Sequence, residues 1–203
     1  MYNKIMKAIK QPKKIIPYIA LRIKKLQVKS VVKDGELYYK YKGKLYPDYL
    51  NHGNACQFIA DKALTYCKGN GIDIGASEWP LPGAIAIENN PNMNAYNLNS
   101  IADKSLDYVF SSHCLEHLDR WQQALLLWIS KLKPGGILFI YLPHESMELW
   151  NPGGPWVGDN HVWKPKYEIL LPFLSEHGVE VIEYNSERDK HYSFHIVCKR
   201  IST

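Results

Sequence analysis

Six side chains able to move protons crowd the second half of the chain. His113, Glu116 and His117 follow the apolar stretch LDYVFSS, His144 and Glu145 follow GILFIYLP, and His161 stands in GDNHVWKP. Imidazole titrates near neutral pH, so His113, His144 and His161 are candidates for taking a proton from an alcohol or an amine. Glu116 and His117 suit a plainer task as well, stabilising a helix start, with Glu116 placed well against the helix dipole. Farther upstream Asp73 lies inside GIDIG, within a stretch from Gly69 to Gly83 that holds four glycines and two prolines. A glycine turn directly after a short apolar run lets a ligand come close to the backbone. The cysteines, Cys56, Cys67, Cys114 and Cys198, show neither CxxC nor Cys/His zinc spacing. No metal is expected, and the sequence reads as a reduced, cytoplasmic protein.

These groups need a frame, and the pattern of the chain supplies one. From Gly71 onward strand and helix signals alternate: GIDIG, GAIAIE, a weak NAYNL, LDYVFSS, then a helix through LDRWQQALLLWISKLK, with Trp121, Leu125, Trp128, Ile129 and Leu132 on one face. GILFIYLP follows a Pro134-Gly135-Gly136 turn, PKYEILLPFLSEHG is a helix, and VEVIEYN and SFHIVCK close the chain. The alternation predicts a parallel sheet; the last two runs are too close for a crossover and should pair antiparallel. Before this come a helix from about Ala55 to Cys67 and a small β meander at 31–50 with turns at Asp34-Gly35 and Lys42-Gly43. The meander's tyrosines are read first as ordinary strand formers, and as a binding wall second.

In open α/β sheets, ligands sit beyond the carboxyl ends of the strands. The glycine stretch lacks the Lys of a phosphate-binding GxxxxGK loop. It lacks the dinucleotide GxGxxG as well, because Gly69 and Gly71 precede the strand and Ala76 and Ser77 follow Gly75. GIDIGAS does resemble the first motif of the class I S-adenosylmethionine-dependent methyltransferases (methyltransferase type 11-like). SLDYVFSSHCLEHLDRWQQALLLWISKLKPGGILFIYLP resembles the same family from its fourth to its fifth strand, with the tripeptide Leu115-Glu116-His117 and the turn Lys133 to Gly136. The likeness runs from about Gly71 to Pro143, with four motifs in order.

The resemblance implies a Rossmann-like α/β fold, with a mostly parallel seven-stranded sheet and an antiparallel last strand. It also implies S-adenosylmethionine as cofactor, held by Asp73, Gly75, Ala76, Ser77, Glu88, Asn97, Leu98, Ser112 and His113. Carboxylates suit a ligand that carries a sulfonium and an ammonium. Ser77 departs from the family's second glycine, and Asn97 stands where relatives carry an acid, although an Asn carbonyl can still accept a hydrogen bond from adenine. Between Gly75 and Ala84 there is room for a reduced turn only, not for a crossover helix.

Methyl transfer is an in-line displacement, so alignment and exclusion of water matter most. His113, His161 and His144 are the candidates for proton removal, and Glu145, Trp156, Asp159, Asn160 and Trp163 for acceptor binding. The segment ELWNPGGPWVGDNHVW carries Trp150, Trp156 and Trp163. Indole faces stack on the C–H faces of sugars, so a carbohydrate acceptor is expected, and anchoring in the core is expected for at least one of the three.

Charge is unevenly spread. Residues 1–30 hold nine Lys or Arg and no acid, so against a net +5 the remainder carries −4. With its interleaved isoleucines and leucines this arm reads as one or two amphipathic helices, either lying on an anionic membrane surface or packed on the domain. The organisation expected is an arm at 1–30 and a methyltransferase domain at 31–203, peripheral at the inner membrane face. Two rivals remain open: an RNA acceptor held by the basic arm, and a degenerate cofactor fold serving as a non-catalytic interaction module.

Overall fold

The computed structural model describes residues 15–185 and 187–201, without the side chains of Ile15 and Ile16. The first half of the basic arm, 1–14, lies outside the described residues. The described chain falls into two compact units, one of 15–53 with 148–161 and one of 54–147 with 162–201. The meander groups with the arm's helix and with the Gly/Pro-rich segment 148–161.

In the first unit, helix α1 spans Ile15–Leu26. An antiparallel sheet follows, built of β1 (Lys29–Lys33), β2 (Glu36–Tyr41) and β3 (Lys44–Pro47). Both hairpin turns have two successive positive φ angles, Asp34 and Gly35 at 53° and 81°, Lys42 and Gly43 at 47° and 81°. That geometry matches the right-handed twist of the strands it joins. Tyr41, Tyr46 and Leu50 are buried, so two of the tyrosines are core residues. Glu148 accepts from Lys42 Nζ at 3.0 Å and Lys44 Nζ at 2.8 Å, and Trp156 meets Tyr39 edge to face at 5.2 Å.

The second unit opens with α2 (Ala60–Tyr66), preceded by a separate 3-10 turn at Ala55–Phe58, so the single helix expected from Ala55 to Cys67 is two pieces. Its sheet comprises β4 (Gly71–Ile74), β5 (Ile85–Ile87), β6 (Leu106–Ser112), β7 (Leu132–Pro143), β8 (Val179–Tyr184) and β9 (Ser193–Arg200), in the order β5-β4-β6-β7-β9-β8. The strands β5, β4, β6 and β7 run parallel, whereas β9 is antiparallel to both of its neighbours. Six strands form where seven were expected, because NAYNL makes only a bridged turn between Asn94 and Asn97. The two asparagines favour that turn, Asn94 Oδ1 accepting the Tyr96 N–H at 2.9 Å.

Side chains alternate across the sheet. Ile72, Ile74, Val109, Leu138, Ile140 and Ile196 face a core completed by α3 (Trp121–Lys131) and α4 (Tyr167–Glu176). Tyr108, Phe110, Phe139, Tyr141 and Val197 face the other way, where Ala63 of α2 packs. Burial of both faces explains why these strands read as nearly continuous apolar runs. Gly71 is fixed by this packing, since a Cβ there would stand 2.5 Å from the Tyr108 ring.

Candidate active site

The carboxyl ends of β4, β5 and β6 lie side by side. Asp73, one residue before the end of β4, is buried, and its Oδ2 accepts the Leu81 N–H at 2.8 Å. This bond pins the return loop from β4 to β5, which has no helix. Gly75 donates to Ile87 O at 2.9 Å and turns with φ +79°. A Cβ there would meet the Cys114 side chain at 2.6 Å, so this position is closed to larger residues. Ser77 adopts φ +52°, the left-handed conformation a glycine would take, so the departure from GxG keeps the glycine's backbone shape.

Burial pushes the Asp73 carboxyl up to about 7, against the Leu81 hydrogen bond that favours its charged form; Glu88, just past β5, raises it further. Asp73 Oδ1 and Ser112 Oγ, at the end of β6, are buried with no hydrogen-bond partner among the described residues. A buried polar atom left unpaired is costly. A ligand that brings an ammonium and hydroxyls to this rim would relieve both, which is the chemistry of S-adenosylmethionine.

The remaining expected cofactor residues fit unevenly. Glu88 and Ser77 are exposed, and Ala76 is buried, with its carbonyl accepting from Trp79 N. Asn97 Oδ1 caps the Asn99 N–H at 3.2 Å and keeps one lone pair for a ligand. Leu98 is fully buried in the core, so only its backbone can face a ligand.

His113 is the first residue beyond β6 and has φ +49°. Its N–H continues the sheet by donating to Tyr141 O at 2.8 Å. Its Nε2 lies 2.9 Å from Ser193 Oγ and its Nδ1 3.8 Å from Glu116 Oε1. Ser193 Oγ also donates to His191 O at 3.3 Å, which makes it the acceptor from Nε2–H. Burial pushes Glu116 up to about 8, so at neutral pH it is a neutral acid. A neutral Glu116 carries no charge to set against a helix dipole.

Asp189 steadies the arrangement. Its Oδ1 accepts from the backbone of His191 (2.8 Å) and Ser193 (2.9 Å), and its Oδ2 from Tyr141 OH at 2.6 Å. Nothing in the residue pattern singles out Ser193, Asp189 or Tyr141. The only signal was their place near strand ends, and it becomes specific once Ser193 is seen opposite Pro143 in the β7–β9 ladder.

His144 is engaged in its own turn. Its Nδ1 accepts from Ser146 N at 3.1 Å, so the neutral ring carries its proton on Nε2 and offers no lone pair there; burial lowers its pKa. Glu145 is paired with Lys166 Nζ at 2.6 Å, which holds its carboxyl below the usual range. Trp163 packs: its indole N–H donates to Leu115 O at 2.9 Å and its ring stacks on Trp121 at 4.8 Å. That is the anchoring expected of one tryptophan, and it takes Trp163 out of an acceptor-facing loop. Trp156, exposed Asp159 and Asn160, and buried His161 belong to the first unit. Burial holds all four thiols near 12, so none is a reactive thiolate.

Comparison with known proteins agrees with the geometry. Residues 59–140 match the family model described as "Methyltransferase domain". Among solved structures, a chain of the complex between the Haloferax volcanii Trm112 methyltransferase activator and a methyltransferase superposes with TM-score 0.58 at 13% identity, covering 76% of this chain and 95% of that one. A methyltransferase from Mesorhizobium loti gives 0.54 at 14% (74% and 100% covered). One from Archaeoglobus fulgidus gives 0.52 at 20% (72% and 95%). At such identities the likeness is one of fold. No curated protein sequence matches the chain. Motifs, family match and fold agree on a methyltransferase domain over residues 59–140, with the fold of class I S-adenosylmethionine-dependent methyltransferases. The chain is an enzyme of methyl transfer, and S-adenosylmethionine is its cofactor.

Proposed function

We propose that the enzyme methylates a hydroxyl of a sugar or glycan, of the kind found in surface polysaccharides, with His113 as the proton acceptor. The observation that carries this reading is the placement of His113 at the end of β6, with Nε2 held by Ser193. When bound, S-adenosylmethionine supplies an electrophilic methyl group. Asp73, Gly75, Ser77, Glu88 and Ser112 would hold it, with Asn97 at the adenine, and His113 would take the proton that the acceptor hydroxyl gives up. Glu116 Oε1, 3.8 Å from Nδ1, lies close enough to interact with the imidazolium formed.

The sugar follows from Trp156, Asp159, Asn160 and His161 in one segment, which combine an aromatic stacking surface with hydroxyl-binding groups. The basic arm, residues 1–30, would keep such an enzyme at the inner membrane face, where lipid-carried glycans are presented.

Transfer of a labelled methyl group from S-adenosylmethionine is the test, with nucleotide sugars, lipid-linked oligosaccharides and transfer RNA offered in parallel. Label in a carbohydrate hydroxyl is the expected result. Label in RNA, or none in any carbohydrate by a chain that binds S-adenosylhomocysteine, would overturn the acceptor class.

A further inference from the structure

One face of α1 is already used within its own unit. Lys24 Nζ donates to Gly153 O at 2.8 Å, and Leu21 lies over Gly158 so closely that a Cβ there would stand 2.9 Å from it. The other face is left open. Ile19, Ile23 and Leu26, at the i, i+4, i+7 spacing of one helical stripe, are 51%, 53% and 80% exposed. Arg22 and Lys25 flank the stripe and are exposed, as are Lys29 and Lys33 of β1, while Val32 of the same strand is 70% exposed. Residues 1–33 include ten Lys or Arg, and the first acid is Asp34.

We propose that this face docks on an anionic phospholipid bilayer, with Ile19, Ile23 and Leu26 among the acyl chains and Arg22, Lys25, Lys29 and Lys33 at the headgroups. The inference gives the peripheral location proposed above its contact residues, and it does not depend on the acceptor. Two features select lipid over other anions. Phosphate alone would be met by the cations and leaves the aliphatic stripe without purpose, whereas a lipid layer offers negative charge and hydrocarbon within a few ångströms of each other. Nucleic acid would call for aromatic stacking surfaces, and the stripe is aliphatic throughout. At 12 residues α1 is about 18 Å long. No helix among the described residues is long and apolar enough to cross a membrane, so the contact is one of lying on the surface.

The test is co-sedimentation of the full chain with vesicles of phosphatidylcholine alone or with phosphatidylglycerol at 30 mol% (about one lipid in three, for a strong surface potential). Anionic vesicles should bind at least about tenfold more tightly, and the advantage should shrink as salt rises. Replacing Ile19, Ile23 and Leu26 together by Ser should lower binding about tenfold or more, with affinity for S-adenosylhomocysteine unchanged as proof of an intact cofactor site. In a separate variant, Ile23→Trp, the indole added should be quenched by brominated acyl chains. Wild-type binding by the triple variant, an unquenched Trp, or retention on RNA with none on vesicles would overturn the proposal. Each outcome is independent of methyl transfer, so failure here leaves the acceptor question where it was.

Discussion

Two stretches of the same sheet rim differ in how their polar groups are treated. Around β4 and the end of β6, Asp73 Oδ1 and Ser112 Oγ are buried and unpaired, and Asp73 is held near a pKa of 7 by burial. A few residues away, at the ends of β7 and β9, Tyr141, Asp189, Ser193 and His113 form a connected chain of hydrogen bonds. The first stretch leaves buried polar atoms without a partner among the described residues, while the second is hydrogen-bonded within the chain itself. This division suits methyl transfer, in which the cofactor supplies the reactive group and the protein supplies a held geometry.

The sharpest break of this comparison is His113→Asn, because Asn tolerates the positive φ and removes only the imidazole. Turnover on the acceptor should fall about 10²- to 10⁴-fold, with calorimetric affinity for S-adenosylhomocysteine changed less than about threefold, within roughly 0.7 kcal/mol. Loss of cofactor affinity in parallel would place His113 in the cofactor site instead of at the acceptor.

Asp73→Ala and Glu88→Ala should act the other way, weakening S-adenosylhomocysteine by about 10- to 100-fold, equivalent to roughly 1.4–2.7 kcal/mol. Since the ligand's ammonium favours the ionised carboxylate, wild-type affinity should also rise several-fold as pH goes from below to above the Asp73 value of about 7. A flat pH profile for binding would remove Asp73 from contact with the ligand's charge.

Stability without ligand should show the opposite slope. Asp73 and Glu116 keep their protons to higher pH when folded than their ordinary values of 3.8 and 4.5, so the folded chain binds more protons than the unfolded one between those values and about 7 and 8. Stability measured by urea unfolding should therefore fall by several kcal/mol across pH 5 to 8. Asp73→Asn should flatten the lower part of that slope.

Ser193→Ala tests the hydrogen-bonded stretch. It should cost His113 its fixed tautomer, lowering turnover about tenfold and shifting the pH–rate profile, with Ser193→Thr restoring part of both. The smallest effect belongs to Ser77→Gly, which should stabilise by about 0.5–1 kcal/mol because the left-handed turn no longer strains a side chain.

Much of this division was legible along the chain. Gly75 after an apolar run announced the turn, Asp34-Gly35 and Lys42-Gly43 announced two hairpins, and the alternation from Gly71 to Pro143 announced a parallel sheet with an antiparallel close. These are local properties, set by which φ angles a residue tolerates and which faces a strand must bury. NAYNL misled because its apolar spacing is strand-like while its asparagines prefer turns.

The sequence by itself determined the sheet, the glycine bend and the charge of the arm, since each follows from neighbours along the backbone. Only the tertiary structure decided that Ser193 meets His113 across 80 residues, that Trp163 stacks on Trp121, and that segment 148–161 joins the N-terminal helix and meander. Such contacts depend on the register in which β7 and β9 pair and on which side chains then share a face. Spacing along the chain carries no record of partners brought together by pairing between distant strands.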